Sequence, residues 1–446
     1  MTLSSAITPL LALAAVGSST VLPRAPTNPG FLSFPVYHDH RVRSVGSLTK
    51  RDAEVTLFNI SAISYLIELS IGTPGQSVKV AIDTGSNELW VDPNCADPQL
   101  PSDQQTECNA DGIYNPKKSS TENTIGTTNT IPYGIGEVAI EYVTDDITLT
   151  GSSATLKNVQ FGVATDSKQL NEGILGIGFG ENLNTDYPNF IDELAAQNVT
   201  NSKAFSVALG SVDASNGGVV IFGGIDTKKF TGSLITNPNL GRQSKGDSFR
   251  YWIQMSSLSL DRSGSTKAYP GSDIPIVLDT GSTFSSLPAS IVDQMVTDFG
   301  AQLDKASDVY IVPCSQRTQG GTLDFVFGKG TIKIPVADFI LQADPQNCVL
   351  GALPIDSSSG ITALLGDSFM RSVYAVFDQT TQTISLAPYV NCGTHEQAIP
   401  ATGAASFQGE CDATSTKKSA APGGRAAVKV GGALVAAGIV ASVLLF

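Results

Sequence analysis

Two short segments of this chain each end an apolar run in a carboxylate. One reads Val78-Lys79-Val80-Ala81-Ile82-Asp83-Thr84-Gly85-Ser86, the other Ile274-Pro275-Ile276-Val277-Leu278-Asp279-Thr280-Gly281-Ser282. Apolar residues alternate up to each Asp: Val78, Val80 and Ile82 in the first copy, Ile274, Ile276 and Leu278 in the second. That period is a strand with one buried face, so Asp83 and Asp279 fall where a strand ends. Gly85 and Gly281 permit a tight turn and the close approach of another backbone. Ser86 and Ser282 follow with hydroxyls able to hold an outer carboxylate oxygen in plane. Matching turns a lobe's length apart imply two matching lobes, with a carboxylate pair across a pseudo-twofold axis. Like charges that close cannot both ionise, so the pair shares one proton. One carboxylate then takes a proton from a water while the other donates to a carbonyl oxygen, which is hydrolysis without a covalent intermediate.

The elements that must hold the pair read as short strands. Gly is abundant at 43 residues, and with plentiful Ser, Thr and Val this favours a turn-rich, all-β chain with a few short helices. Two helices are predicted. Pro288 to Ala301 carries Ile291, Val292, Met295, Val296 and Phe299 at helical spacing, with Ser286 as a cap. Pro188 to Gln197 opens on Pro and puts Phe190, Ile191 and Leu194 on one side. The Gly/Ser/Asn-rich stretch Thr236 to Phe249, before Tyr251-Trp252-Ile253, is the expected lobe boundary. There are 27 Lys and Arg against 41 Asp and Glu; an acidic surface repels phosphate backbones and disfavours nucleic acid. The 3 His do not supply a multi-His zinc site. No metal and no cofactor are expected.

From this repeat outward the chain resembles the pepsin family of aspartic endopeptidases. Asn87-Glu88-Leu89-Trp90-Val91 is similar to the family's Trp-bearing strand, and Ile131-Pro132-Tyr133-Gly134-Ile135-Gly136 to its flap hairpin. Gly173-Ile174-Leu175-Gly176-Ile177-Gly178 and Ala363-Leu364-Leu365-Gly366-Asp367 resemble the paired segments that support each active loop. Phe222-Gly223-Gly224-Ile225-Asp226 and Val373-Tyr374-Ala375-Val376-Phe377-Asp378 are also family-like, and the likeness runs from about residue 62 to 390. It implies a bilobal acid-protease fold with a central cleft, Asp83 and Asp279 as the catalytic pair, and Tyr133 as the flap tyrosine with Trp90 its partner. Gly85, Tyr133, Gly134, Gly281 and Ser282 are then the substrate-binding residues, with Ser86 and Trp90 supporting the pair. Protein or peptide substrates, pepstatin-type inhibition, an acidic optimum and a monomer follow. Ile135 stands where many relatives carry Thr or Asp, and Asn87-Glu88 is unusual after the first active loop. The alternative is a non-catalytic bilobal cell-surface protein that binds peptides.

The ends read as addresses. Ile7 to Val16 is mostly apolar and precedes Gly17-Ser18-Ser19, as in a secretory signal. The next stretch carries Arg24, Arg41, Arg43, Lys50 and Arg51 against Asp39, and is expected to be a propeptide cut after Arg51. Near the other end, Lys417-Lys418-Ser419 and Pro422-Gly423-Gly424 precede the uncharged run Val430 to Phe446, the pattern of a GPI-attachment signal with Ser419 as the attachment site. The expected organisation is thus 1–19 signal peptide, 20–51 propeptide, 52–240 N-terminal lobe, 241–390 C-terminal lobe, 391–419 linker and 420–446 removed anchor signal. On a secretory route the 6 Cys suggest disulfides; pairing in chain order joins Cys95 to Cys108 and Cys314 to Cys348, with Cys392 and Cys411 left open. Asn59 and Asn198 head glycosylation sequons. The family's GPI-anchored yapsins carry a cysteine-bracketed loop near Cys95–Cys108 and favour basic residues at the cut. Asp97, Asp103 and Glu107 in that loop are open to the same reading, and a general hydrophobic preference is equally open.

Overall fold

The computed structural model describes residues 30–42 and 61–412, apart from 101, 135, 150–153, 211–217, 306, 344–346 and 356–361. The signal region, Arg51, Asn59, Ile135 and Ser419 lie outside the described residues.

Each half of the chain is organised around a sheet that carries one Asp-bearing strand. In the first half, Gln76–Asp83 lies between Ser61–Ile71, antiparallel to it, and Gly173–Gly176, parallel to it. The hairpin Asn123–Tyr133 and Gly136–Leu149 closes the far side of the same sheet. In the second half, Ile274–Leu278 lies between Trp252–Arg262, antiparallel, and Leu364–Leu365, parallel. The repeat in sequence is therefore a repeat in topology. A third, six-stranded sheet takes strands from both halves: Leu32–Pro35, Val219–Phe222, Ala204–Ala208, Val373–Asp378, Thr383–Pro388 and Ile235–Pro238, in that order. Of the alternating residues before each Asp, Val78, Val80, Ile82, Ile276 and Leu278 are each at most 2% exposed, while Ile274 is half-buried. One hydrophobic cluster runs through both halves and removes them from water together.

Helix bounds and caps change in detail, and both ends of the described chain pair with the body. The second helix is Ala289–Phe299, capped by Pro288 without a side-chain bond. Ser286 lies inside the strand Ser285–Pro288, buried, and its hydroxyl has no partner among the described residues. The first helix is Phe190–Ala196; its cap is Asn189, whose side chain accepts from Asp192 N–H while Asp192 accepts from Asn189 N–H. Residues expected in the propeptide are built into the body. Leu32–Pro35 pairs with Val219–Phe222 and buries Leu32 and Phe34, Val36 is buried beyond it, and Tyr37–Val42 pairs with Ser61–Leu66. Part of the expected linker is folded as well. Glu396–Ala398 pairs with Gly224–Asp226, and Ile399 and Ala404 are buried because Tyr374, Ile225 and Phe230 offer an apolar face there; Cys411 is buried as well. The disulfides are Cys95–Cys108, Cys314–Cys348 and Cys392–Cys411, the last stapling this tail.

Candidate active site

Asp83 and Asp279 meet where the two halves abut, 0% and 1% exposed. A Cβ on Gly85 would sit 2.7 Å from Asp279 Oδ1 and 2.8 Å from Oδ2; only glycine leaves room for the second carboxylate against the first loop. Gly85 N–H donates to Asp83 Oδ1 at 2.7 Å, and Gly281 N–H to Asp279 Oδ1 at 2.8 Å. Each carboxylate thus accepts from the peptide two residues on, which fixes it in its turn. Ser282 Oγ donates to Asp279 Oδ2 at 3.0 Å. Ser86 does not mirror it. Its hydroxyl lies between Asp83 and Tyr133, close enough to act on both, but reaches hydrogen-bond geometry with neither. Asp83 Oδ2 likewise has no hydrogen bond among the described residues.

The two loops are locked to one another by their threonines, which the sequence reading passed over. Thr84 Oγ1 donates to Leu278 O at 2.9 Å and accepts from Thr280 N–H at 3.0 Å. Thr280 Oγ1 donates to Ile82 O at 3.0 Å and accepts from Thr84 N–H at 3.1 Å. Both threonines are buried. The available signal was their recurrence at the same place in both copies of Asp-Thr-Gly-Ser.

Glycines let the supporting segments pass against the loops. A Cβ on Gly176 would meet Glu88 N at 2.5 Å, and one on Gly366 would meet Ser282 O at 2.3 Å. Ile177 N–H donates to Asp83 O at 2.8 Å, and Asp279 N–H to Leu365 O at 3.0 Å.

Burial pushes both Asp carboxyls up. Asp279 goes well above the usual carboxylate range, with the charge of Asp83 as the second cause. The hydrogen bonds to the carboxylates and the charge of Arg250 pull in the opposite sense. The pair is thus arranged to keep a proton where isolated carboxylates have lost theirs.

Tyr133 ends the first strand of the hairpin, with Gly134 exposed at its tip. Trp90 Nε1 donates to Tyr133 OH at 2.6 Å. Tyr133 is buried, and burial followed by the charge of Asp83 pushes its phenol up, so it stays a neutral donor. Asn87-Glu88 also has a role in this wall. Glu88 Oε2 accepts from Tyr142 OH at 2.5 Å and Tyr187 OH at 2.8 Å, and Asn87 Oδ1 accepts from Asn184 Nδ2 at 2.8 Å. Of the acids in the cysteine loop, Asp97 is buried and used: it accepts from Gln99 N–H at 2.9 Å and Gln169 N–H at 2.8 Å. It anchors the loop. Glu107 is half-buried on the helix Ser102–Ala110. Asn198 is exposed, as a glycosylated residue needs to be.

A buried carboxylate pair between two pseudo-symmetric β lobes, under a hairpin, defines an aspartic protease architecture. Residues 64–389 match the eukaryotic aspartyl protease family. The chain is 33% identical over 375 residues to the probable aspartic-type endopeptidase opsB of Aspergillus fumigatus, covering 80% of this chain and 74% of that one. It is 35% identical over 329 residues to secreted aspartic protease 8 of Candida albicans, covering 73% and 75%. The fold is similar to the crystal structure of an aspartic proteinase from Irpex lacteus, with a TM-score of 0.62, 20% identity, and coverage of 80% and 97%. The chain belongs to the eukaryotic aspartyl protease family. It is an aspartic endopeptidase whose substrates are peptide chains.

Proposed function

We propose that Asp83 and Asp279 are the catalytic pair of a secreted endopeptidase working at acidic pH. The observation that carries this is their joint burial at one point, each fixed by the peptide two residues on. A water held between the carboxylates gives its proton to the ionised one as it attacks the scissile carbonyl. The protonated carboxyl donates to the developing oxyanion. The proton taken up then passes to the leaving amine, so both products leave neutral and the pair again shares one proton. Tyr133 and Gly134 close over the substrate and exclude water, and Gly85, Gly281 and Ser282 line the floor. Acid pH favours the reaction because one carboxyl must stay protonated.

In this reading the chain enters the secretory route through residues 1–19, where its disulfides form. A cut after Arg51 separates the leader, which then gives up the pairing of 32–42 with the body. A GPI anchor at Ser419 holds the enzyme to the outer face of the membrane, as a monomer. The similarity to a protein named for secretion supports the route.

The test uses the chain ended before Ser419, incubated with a mixed peptide library from acid to neutral pH, with and without pepstatin. Pepstatin-sensitive cuts at acid pH, lost in Asp83→Asn and in Asp279→Asn, are expected. Residues flanking the cuts distinguish a basic from a hydrophobic preference. Turnover that survives either substitution refutes the assignment of the pair.

A further inference from the structure

Arg250 precedes the strand Trp252–Arg262, which runs antiparallel to Ile274–Leu278 with Trp252 opposite Val277. Leu278 N–H donates to Tyr251 O at 3.3 Å, which joins the residue before Asp279 to the residue after Arg250, and Trp252 N–H turns back to donate to Arg250 O at 3.0 Å. The backbone around Arg250 is fixed on both sides. Asn184 clamps Phe249 through both backbone groups, accepting from its N–H at 2.7 Å and donating to its carbonyl at 2.7 Å. Tyr251 OH donates to Ile177 O and accepts from Gln379 Nε2, each at 2.7 Å. Arg250 itself is 9% exposed, and a guanidinium that far from water requires negative charge near it.

From this geometry we propose that Arg250 is a positioning residue of the hydrolysis: a buried, fixed cation that sets the pH range over which Asp83 and Asp279 hold a single proton between them. The proposal rests on the reading of that pair as catalytic. The charges acting on Arg250 are Asp279, Asp83 and, from its own segment, Asp247, in that order. Around the pair stand Arg250, Tyr133, which remains neutral, and the hydroxyls of Ser86 and Ser282; Glu88 acts on Tyr133. Arg250 is thus a cation that acts on both carboxylates, and a guanidinium keeps its charge throughout the acid range. It favours the ionised form of both carboxylates, against burial. Without it both protons are held to higher pH.

The experiment measures kcat/KM against pH for pepstatin-sensitive cleavage of one peptide by the wild type, Arg250→Met and Arg250→Lys. Arg250→Met keeps the apolar stem and drops the charge; Arg250→Gln replaces it if the methionine variant does not fold. The neutral variant is expected to move both limbs of the profile to higher pH. Its kcat/KM then falls below wild type on the acid limb and rises above it on the alkaline limb, so the two curves cross. Arg250→Lys is expected to keep the wild-type limbs. Loss by the same factor at every pH marks a structural role and overturns the proposal. A change in KM alone with unmoved limbs makes Arg250 a substrate contact and overturns it too. Loss of all turnover in Asp83→Asn and Asp279→Asn, measured alongside, keeps these failures distinct from failure of the pair.

Discussion

Replacing Thr84 by Val removes a hydroxyl and keeps the side-chain volume, so the cost is polar and not a cavity. In the structure that hydroxyl serves two buried backbone groups, the carbonyl of Leu278 and the N–H of Thr280. Each group left unsatisfied costs about 1–3 kcal/mol, so the substitution should cost about 2–6 kcal/mol. Thr280→Val orphans the carbonyl of Ile82 and the N–H of Thr84 and should cost the same within about 1 kcal/mol. Against a total stability of about 5–15 kcal/mol either loss is large. The four bonds form one closed network, so the double variant should depart from the sum of the singles. Urea unfolding in the Asp83→Asn background, where self-digestion is absent, reads the stability through Trp90 and Trp252, both buried, one in each half. In the active background kcat/KM should drop, because displacement of one carboxylate by about 1 Å costs on the order of 100-fold. Thr84→Ser, which keeps the hydroxyl, should recover most of both losses. A loss under about 0.5 kcal/mol for both valine variants, with unchanged kcat/KM, would refute the assignment of lobe coupling to these hydroxyls.

Gly85→Ala places a methyl 2.7 Å from Asp279 Oδ1, so peptide cleavage should be lost while circular dichroism reports an intact fold. Trp90→Phe and Tyr133→Phe each break the 2.6 Å indole–phenol bond; in a double-mutant cycle on kcat/KM their effects should be less than additive, with full additivity counting against a shared role. Burial pushes the Asp92 carboxyl up to about 7. The native state then holds a proton that the unfolded chain loses near its ordinary 3.8, so this contribution is present in full below that pH and lost as pH rises through about 7. Asp92→Asn should remove up to about 4 kcal/mol of this decline, seen as a higher urea midpoint at neutral pH and none at strongly acid pH. Its amide oxygen still accepts from Tyr114 N–H, as Asp92 Oδ1 does at 2.8 Å, and Asn suits the positive φ of 63° at this position.

What was legible in the sequence was local. The alternation before Asp83 and Asp279 marks two strands ending in the same turn, and the repeat implies the two-lobed arrangement. The partners across the halves were not legible, because antiparallel register joins residues that no local period relates. Thr84 and Thr280 stood in plain view as part of the motif, yet each has as its partner the backbone of the other copy. Arg250 gives no local signal, since the carboxylates whose charges act on it, Asp279 and Asp83, lie far from it along the chain. Leu32, Phe34 and Val36 alternate like a strand, but the partner of that strand, Val219–Phe222, lies far along the chain. Composition hid the fold of the tail: Ile399 and Ala404 are isolated apolar residues in a polar stretch, and only the face around Tyr374 and Phe230 gives them somewhere to go.

The links beside the carboxylate pair have a chemistry in common. The threonine hydroxyls bond peptide groups. Tyr251 bonds Ile177 O, Gln379 bonds Gly178 O at 2.9 Å, and Asn184 joins Asn87 to Phe249. Every one of these is neutral, and none titrates below the range of a phenol. The ion pairs Lys157–Asp146, Lys203–Asp192 and Lys267–Asp298 instead have half-exposed or exposed lysines, where solvent leaves a pair worth little. On the proposed acid-pH reading, links that carry no titrating charge keep the two lobes fixed across the working range. Hydroxyl and amide links hold the geometry while the pair changes protonation. In the proposed mechanism the charges nearest the reacting atoms are then those of Asp83, Asp279 and the Arg250 guanidinium that acts on both.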